Sequence, residues 1–310
     1  MARRRNPIVR RLLRMLVFLF MGVASYLSLP AKRRVGRLLG RAAYYLIPRV
    51  RTVGRANLDL AYGNQLSEQE KARILKRAAE NLGIVAAEFT AIPEMTQECV
   101  SQQVRLEDAE LWDTSKGVLV IGAHLGNWEW MGSTLQAYGC RTAAITRPFD
   151  DPVLDAYVER IRRSPGVITV SKHGAGNEML RLLREGYVVG VLIDQSPRDN
   201  AVPVRFFGQP CWGTIAPVMA AVRARVPIHA VRMVRQPDGR YLLHFSPPIE
   251  TVRTDDLRKD LVENSQRCQD VIEAFVRENP DQWLWFHRRW KLRPRLEQEW
   301  RRRKTRGPKH

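Results

Sequence analysis

A histidine and a carboxylate stand five positions apart in the run His124-Leu125-Gly126-Asn127-Trp128-Glu129. They follow Val118 to Ile121, an apolar run closed by Gly122-Ala123, which reads as a buried strand. Asn127 to Tyr138 reads as a helix. His124 then lies in a strand-to-helix turn and Glu129 in the first helical turn. On a straight helix such a pair points apart, but across a turn the two can meet. A carboxylate bonded to one imidazole nitrogen leaves the other free to take a proton from an attacking hydroxyl. Gly126 permits close backbone approach. The helix start at Asn127 offers N–H groups to a developing oxyanion. The same spacing also suits a structural histidine, so the neighbours carry the weight of the reading.

Three further groups fall at expected carboxyl ends of strands. Arg147, in Thr146-Arg147-Pro148-Phe149-Asp150, could hold a phosphate or polarise a carbonyl. Asp194-Gln195 follows the very apolar Tyr187 to Ile193, where a carboxylate is costly unless paired. Val204-Arg205-Phe206-Phe207-Gly208 reads as a loop carrying aromatics to a cleft mouth, or as core. A fourth feature, Asp281 to Lys291, interleaves tryptophan with arginine and histidine. Such interleaving suits a lipid headgroup interface or base stacking, or a C-terminal helix packed on a sheet. The reading adopted combines buried rings with arginines turned to an anionic site. His173-Gly174-Ala175-Gly176 is too short for a phosphate loop, and there is no Walker sequence and no Gly-x-Ser-x-Gly elbow.

The elements that must position these residues alternate. Strands are expected at 118–121, 142–146, 167–170 and 187–193, and helices at 127–138, 152–163, 176–184 and 214–223. A hairpin is expected from 226–234 and 241–245 across Pro237-Asp238-Gly239, and a long helix over 255–278. Ser67-Glu68-Gln69-Glu70 is a capping box before another helix. This pattern predicts an α/β fold with a mostly parallel sheet flanked by helices, which binds ligands at the strands' carboxyl ends.

The 310 residues carry 51 Lys and Arg against 32 Asp and Glu, a net charge of +19. That excess calls for an anionic partner, and it is densest at both ends. Cys99, Cys140, Cys211 and Cys268 have no metal-ligand spacing, which argues against zinc and disulfides and fits a reducing cytoplasm. Met15 to Leu29 is uncharged, flanked by basic residues, and shorter than the roughly 20 residues of a spanning helix. Lys32 to Pro48 continues as a basic amphipathic helix suited to anionic lipid. Residues 1–48 are therefore expected to form an uncleaved hydrophobic membrane anchor, spanning or half-inserted. Residues 49–295 would form the catalytic domain and 296–310 a basic tail.

In ordered combination, these pieces resemble the bacterial lipid A biosynthesis late acyltransferases, lauroyl and myristoyl transferases of the lysophospholipid acyltransferase superfamily. The resemblance runs from the N-terminal hydrophobic segment through Asn57-Leu58, Ala123 to Glu129, Asp194-Gln195, Phe206-Phe207-Gly208 and Gln282 to Lys291. It implies a glycerol-phosphate-acyltransferase-like fold. It also implies His124 as base, Glu129 as its partner, and Asp194 as the later acidic residue. An arginine before Asp194, matched by Arg163 or by Arg162, would bind substrate or stabilise the oxyanion. The implied reaction moves an acyl chain from acyl carrier protein to a hydroxyl of a phosphorylated glucosamine lipid, at the cytoplasmic face of the bacterial inner membrane. Neither metal nor cofactor is implied, and no nucleic acid. Three other readings stand beside it: a different glycolipid acceptor such as a phosphatidylinositol mannoside, a lipid esterase, and a non-catalytic basic membrane-binding protein.

Overall fold

The computed structural model describes residues 7–109 and 116–305. The chain opens with helices α1 (Pro7–Ser25), α2 (Leu29–Leu46), α3 (Pro48–Tyr62), α4 (Glu68–Glu88) and α5 (Gln97–Gln103), then strands β1 (Val104–Glu107) and β2 (Val118–Gly122). Alternation follows: α6 (Trp128–Ala137), β3 (Thr142–Thr146), α7 (Pro152–Arg163), β4 (Ile168–Ser171), α8 (Ala175–Arg184), β5 (Val188–Leu192). The remaining elements are β6 (Ala201–Phe206), β7 (Gln209–Thr214), α9 (Ala216–Ala224), β8 (Ile228–Arg235), β9 (Tyr241–Phe245), α10 (Leu257–Glu278) and α11 (Pro294–Thr305).

The short apolar runs become strands because each is too short for a helix and ends at Gly, Pro or a charge. They assemble in the order β1-β9-β8-β2-β5-β3-β4. Neighbours are parallel except β8 and β9, which form the expected hairpin. Every residue of β2 is buried, as befits a central strand covered on both faces. One apolar cluster packs α8, α9 and α10 on one face, and another packs α6, α7 and the 89–94 turn on the other. The expected capping box forms: the Ser67 side chain accepts from Glu70 N, and Glu70 accepts from Ser67 N at 2.8 Å. Helix α2 packs tightly on α4. A Cβ at Gly40 would lie 2.1 Å from the Ala79 carbonyl oxygen, so no side chain fits there.

Four expectations change. Among the described residues no helix is long and apolar enough to cross a membrane. The uncharged run 15–29 is split: α1 ends at Ser25, and Arg10, Arg11 and Arg14 lie within it. A spanning anchor is therefore not formed by this segment. Helix α1 is instead two-sided. Met21 and Ala24 are buried, while Leu12, Leu16, Leu19 and Val23 form an outward stripe. Second, the loop expected at 204–208 is the turn of a β-hairpin over 201–214, and of the two readings of its aromatics the core one holds. Phe207 and Gly208 both have positive φ at its two-residue turn, and Phe206 and Phe207 are buried. They are core, away from any cleft mouth. Third, 283–291 is not a helix. Trp283 and Trp285 are buried, and the Arg289 guanidinium is buried as well, donating to the Trp212 carbonyl and to Gln269. Fourth, much of the expected basic tail is α11, with Leu296 buried. The basic residues Arg3, Arg4, Arg5, Arg306 and Lys309 lie outside the described residues.

Candidate active site

The parallel register places the central pair. Strands β2 and β5 are paired up to Gly122 opposite Leu192. Two residues further along each strand stand His124 and Asp194. Ile193 N donates to the Gly122 carbonyl at 3.0 Å, so the pairing continues past the strand ends. His124 Nδ1 lies 2.8 Å from Asp194 Oδ1, and His124 N donates to Oδ2 at 3.0 Å. Trp283 Nε1 also donates to Oδ2, at 2.8 Å. Asp194 is only 2% exposed, and these three hydrogen bonds replace the water it has lost. Burial pushes the Asp194 carboxyl up, but the His124 charge and the three donors outweigh it and hold the group low. For His124, burial pulls down while the Asp194 charge and hydrogen bond, then Glu129, pull up. The net shift is upward.

The imidazole's partner is thus Asp194, in place of the expected Glu129. A carboxylate on Nδ1 fixes the tautomer with Nε2 as acceptor. The Gln195 side-chain amide lies 3.3 Å from Nε2, on the cleft side. The Trp128 ring meets the imidazole edge-on, with centroids 5.2 Å apart.

Glu129 engages a different group. Arg162 Nε donates to Oε2 at 3.0 Å and Arg162 Nη2 to Oε1 at 2.7 Å, a two-pronged pair. Trp128 Nε1 adds 3.2 Å to Oε1, and Arg162 Nη1 reaches Glu159 at 3.2 Å. The arginine of the site is therefore Arg162. Its neighbour Arg163 is 60% exposed and donates to Thr169 and pairs weakly with Glu159, away from Glu129. A helix turns about 100° per residue, so only one of the two can face the sheet end.

The turn between them is pinned on several sides. Gly126 has φ +62°, and a Cβ there would strike the Met233 carbonyl oxygen at 1.7 Å. Asn81 Nδ2 donates to the Gly126 carbonyl at 3.0 Å, and Leu284 N to the His124 carbonyl at 3.0 Å. The amides expected to face an oxyanion are already used: Gly126 N donates to Gln282 O and Asn127 N to Met233 O. Asn127 itself is buried, caps α6 through Trp130 N, and donates to Glu88 at 2.9 Å. Gly126 and Asn127 are scaffold here. Glu88 is a hub that also takes Arg33 at 2.5 Å, Arg235 and Tyr241. Glu88 closes α4 between the buried Ala87 and Phe89, and a lone acid at the end of that apolar stripe is the signal that could have singled it out.

A cleft of about 1450 Å³ opens over these groups. Ile92, Val120, Met131, Leu135 and Gly190 line an apolar part between α6 and the sheet, and Arg147, Lys172, Arg198, Arg288, Lys291 and Arg293 line its rim. Arg147 is half exposed at that rim, with Asp150 3.9 Å away. His287 lies there too. Ser196 N donates to its Nε2 at 3.0 Å, and burial is the main cause that lowers it to about 4, so its ring is neutral. Away from the cleft, Glu107, Asp108 and His244 bring three potential metal-ligand atoms within 4.8 Å of one another on the outer strands. The His244 ring is already paired with both carboxylates.

The site is thus a histidine–aspartate pair at the ends of adjacent parallel strands, at a cleft with an apolar part and a cationic rim. The bacterial lipid A biosynthesis acyltransferase profile matches residues 3–292, and the chain belongs to that family. It is similar to the lipid A biosynthesis lauroyltransferase of Escherichia coli, 25% identical over 283 residues, 86% of this chain and 88% of that one. It is similar also to the lipid A biosynthesis palmitoleoyltransferase of the same organism, 25% identical over 250 residues, 77% of this chain and 78% of that one. A 1-acyl-sn-glycerophosphate acyltransferase from Thermotoga maritima superposes with a TM-score of 0.36 at 17% identity, over 78% of this chain and 96% of that one.

Proposed function

We propose that this protein transfers a fatty acyl chain from acyl carrier protein to a hydroxyl of a lipid A precursor, with His124 as general base. The observation that carries the proposal is the His124 Nδ1–Asp194 contact of 2.8 Å, which leaves Nε2 facing the cleft. The acceptor hydroxyl takes the place of the Gln195 amide at Nε2 and gives up its proton there as its oxygen attacks the thioester carbonyl. The new imidazolium is stabilised by Asp194, which stays ionised. The carbonyl becomes an oxyanion, for which the displaced Gln195 amide is a donor at hand. Collapse breaks the carbon–sulfur bond, and the thiolate takes the proton back from Nε2. The thiolate is a good leaving group, so the reaction needs no metal and no cofactor.

Glu129 fixes Arg162 at the site wall instead of orienting the base. The apolar part of the cleft suits the acyl chain, and its cationic rim suits an anionic glycolipid and an acidic carrier protein. The outward stripe on α1, with Leu38, Leu39, Tyr45 and Leu46 exposed on α2, suits half-insertion into the cytoplasmic leaflet of the inner membrane.

The test supplies membranes bearing the protein with lauroyl- or myristoyl-acyl carrier protein and a radiolabelled tetra-acylated precursor. A more highly acylated product that His124→Ala abolishes is the expected result. Free fatty acid as the main product would sink the transfer reading in favour of hydrolysis. Transfer only to another glycolipid would move the acceptor and keep the chemistry.

A further inference from the structure

We propose that the end of the cleft remote from His124 is a phosphate subsite, formed by Arg147, Lys172, Arg198 and the amino end of α8, and that it holds a phosphate monoester on the acceptor headgroup. This rests on the acyl-transfer reading above. Strands β3 and β4 pair up to Thr146 opposite Ser171, and Lys172 N donates to the Thr146 carbonyl at 2.8 Å. Arg147 and Lys172 therefore leave adjacent strand ends side by side. Arg198 follows β5, the next strand over, and all three side chains line the same cleft.

These cations are crowded together without matching acids. Partial burial lowers the Lys172 pKa, Arg147 and Arg198 lower it further, and Asp199 alone opposes them. Among the described residues, the Lys172 and Arg198 side chains make no ion pair. Arg147 has only Asp150 at 3.9 Å, whose carboxylate is 96% exposed. A dianion relieves such crowding. A backbone feature points to the same place. Helix α8 begins after Gly174 with no side-chain cap, so its first N–H groups lack the usual oxygen. Gly174 and Gly176 line the cleft, and a Cβ at either would meet nothing within 4 Å, so the space beside that helix start is open. The first-turn carboxylate Glu178 is turned to Arg181, with contacts of 3.0 and 2.6 Å.

Strand β4 is three strands from β2 in the sheet order, roughly 14 Å at the usual strand spacing. A phosphate held there is far from the reacting hydroxyl. It anchors the headgroup and sets its orientation, an effect expressed mainly in KM.

The experiment compares a phosphorylated acceptor with its dephosphorylated counterpart, using full-length wild type and Lys172→Gln/Arg198→Gln, with thermal unfolding confirming that the variant folds. The variant's KM for the phosphorylated acceptor should rise about tenfold or more, and its preference for that acceptor should fall toward one. Unchanged KM and preference would overturn the subsite. A rise in KM for acyl carrier protein alone would also overturn it, because the phosphate held would then be the carrier's. In a second arm, glucosamine 1-phosphate is titrated into the purified protein without donor. Binding by wild type and loss in the variant supports the subsite even if no acyl transfer is seen, a result that would count against the reaction alone. No binding by wild type, with KM unchanged in the variant, refutes the subsite.

Discussion

Asp194 grips His124 twice, through the imidazole Nδ1 at 2.8 Å and the main-chain N–H at 3.0 Å. One carboxylate thus fixes both the ring and the backbone that carries it. Asp194→Asn keeps the shape and removes the charge. It should lower kcat by roughly 10³-fold or more, through a wrong tautomer and an unsupported imidazolium. The pH profile gives the sign. The raised His124 pKa puts the acid limb of kcat/KM above 6.5, because the base works only when neutral. In Asp194→Asn the charge that raises it is gone and burial pulls the limb down. Stability follows the same linkage: the His124 contribution is present below about 6.5 and is lost as pH rises through the raised value. A limb that does not move in the variant would show that Asp194 does not govern His124.

The strand ends carrying His124, Arg147, Asp194 and Gln195 were legible in the sequence because short apolar runs bounded by Gly announce parallel strands. Pairing between the ends was not. The five-residue spacing of His124 and Glu129 suggested a local contact, whereas the partner of His124 is 70 residues away in sequence. The missing information was the strand order, which sets β5 beside β2. Once that order is known, His124 and Asp194 fall opposite each other by counting two residues past Gly122 and Leu192. The sequence left Arg162 and Arg163 open for a similar reason, since helical phase separates them and nothing in the sequence anchors that phase. The tryptophan–arginine run was read in part: Trp283 and Trp285 are buried and Arg288 lines the cleft as expected, but the segment is a series of turns pinned to the site, where Leu125 bridges Trp283 and Arg289 is buried.

Glu129 and Arg162 should behave as one unit. Each is mostly buried, at 17% and 19% exposure, and each keeps a further partner when the other is removed. Glu129→Ala and Arg162→Ala should both reduce kcat, and the double variant should be no worse than the poorer single one. A double-mutant cycle on unfolding should return roughly 1–3 kcal/mol of coupling. Additive losses would mean that the pair is not the functional unit.

Membrane association should depend on the outward stripe of α1. Leu16 and Leu19 are 53% and 65% exposed, while Met21 and Ala24 on the opposite side are buried. Leu16→Asp or Leu19→Asp should leave folding intact and weaken binding to vesicles containing phosphatidylglycerol. Each buried leucine side chain contributes roughly 1.5–3 kcal/mol, so each substitution should cost about tenfold or more. Raising salt should weaken binding further by screening the arginines. Equal sedimentation of wild type and variants would remove α1 as the contact.

The acyl chain's length should be read at Gly190. This residue is the third of five in β5, paired to Val120 and Ala144 on either side, and it lines the apolar part of the cleft with Met131 and Leu135. The nearest atom to a Cβ there is the Ala143 carbonyl oxygen at 3.7 Å, so a side chain can be added without moving the sheet. Gly190→Leu would instead occupy groove. Each methylene of the donor denied that space loses about 0.8 kcal/mol, and two lose about tenfold in kcat/KM. The variant should therefore favour shorter acyl-acyl carrier proteins while keeping its rate with them, measured as relative kcat/KM across a donor series. An unchanged chain-length profile with a folded variant would place the acyl chain elsewhere in the cleft.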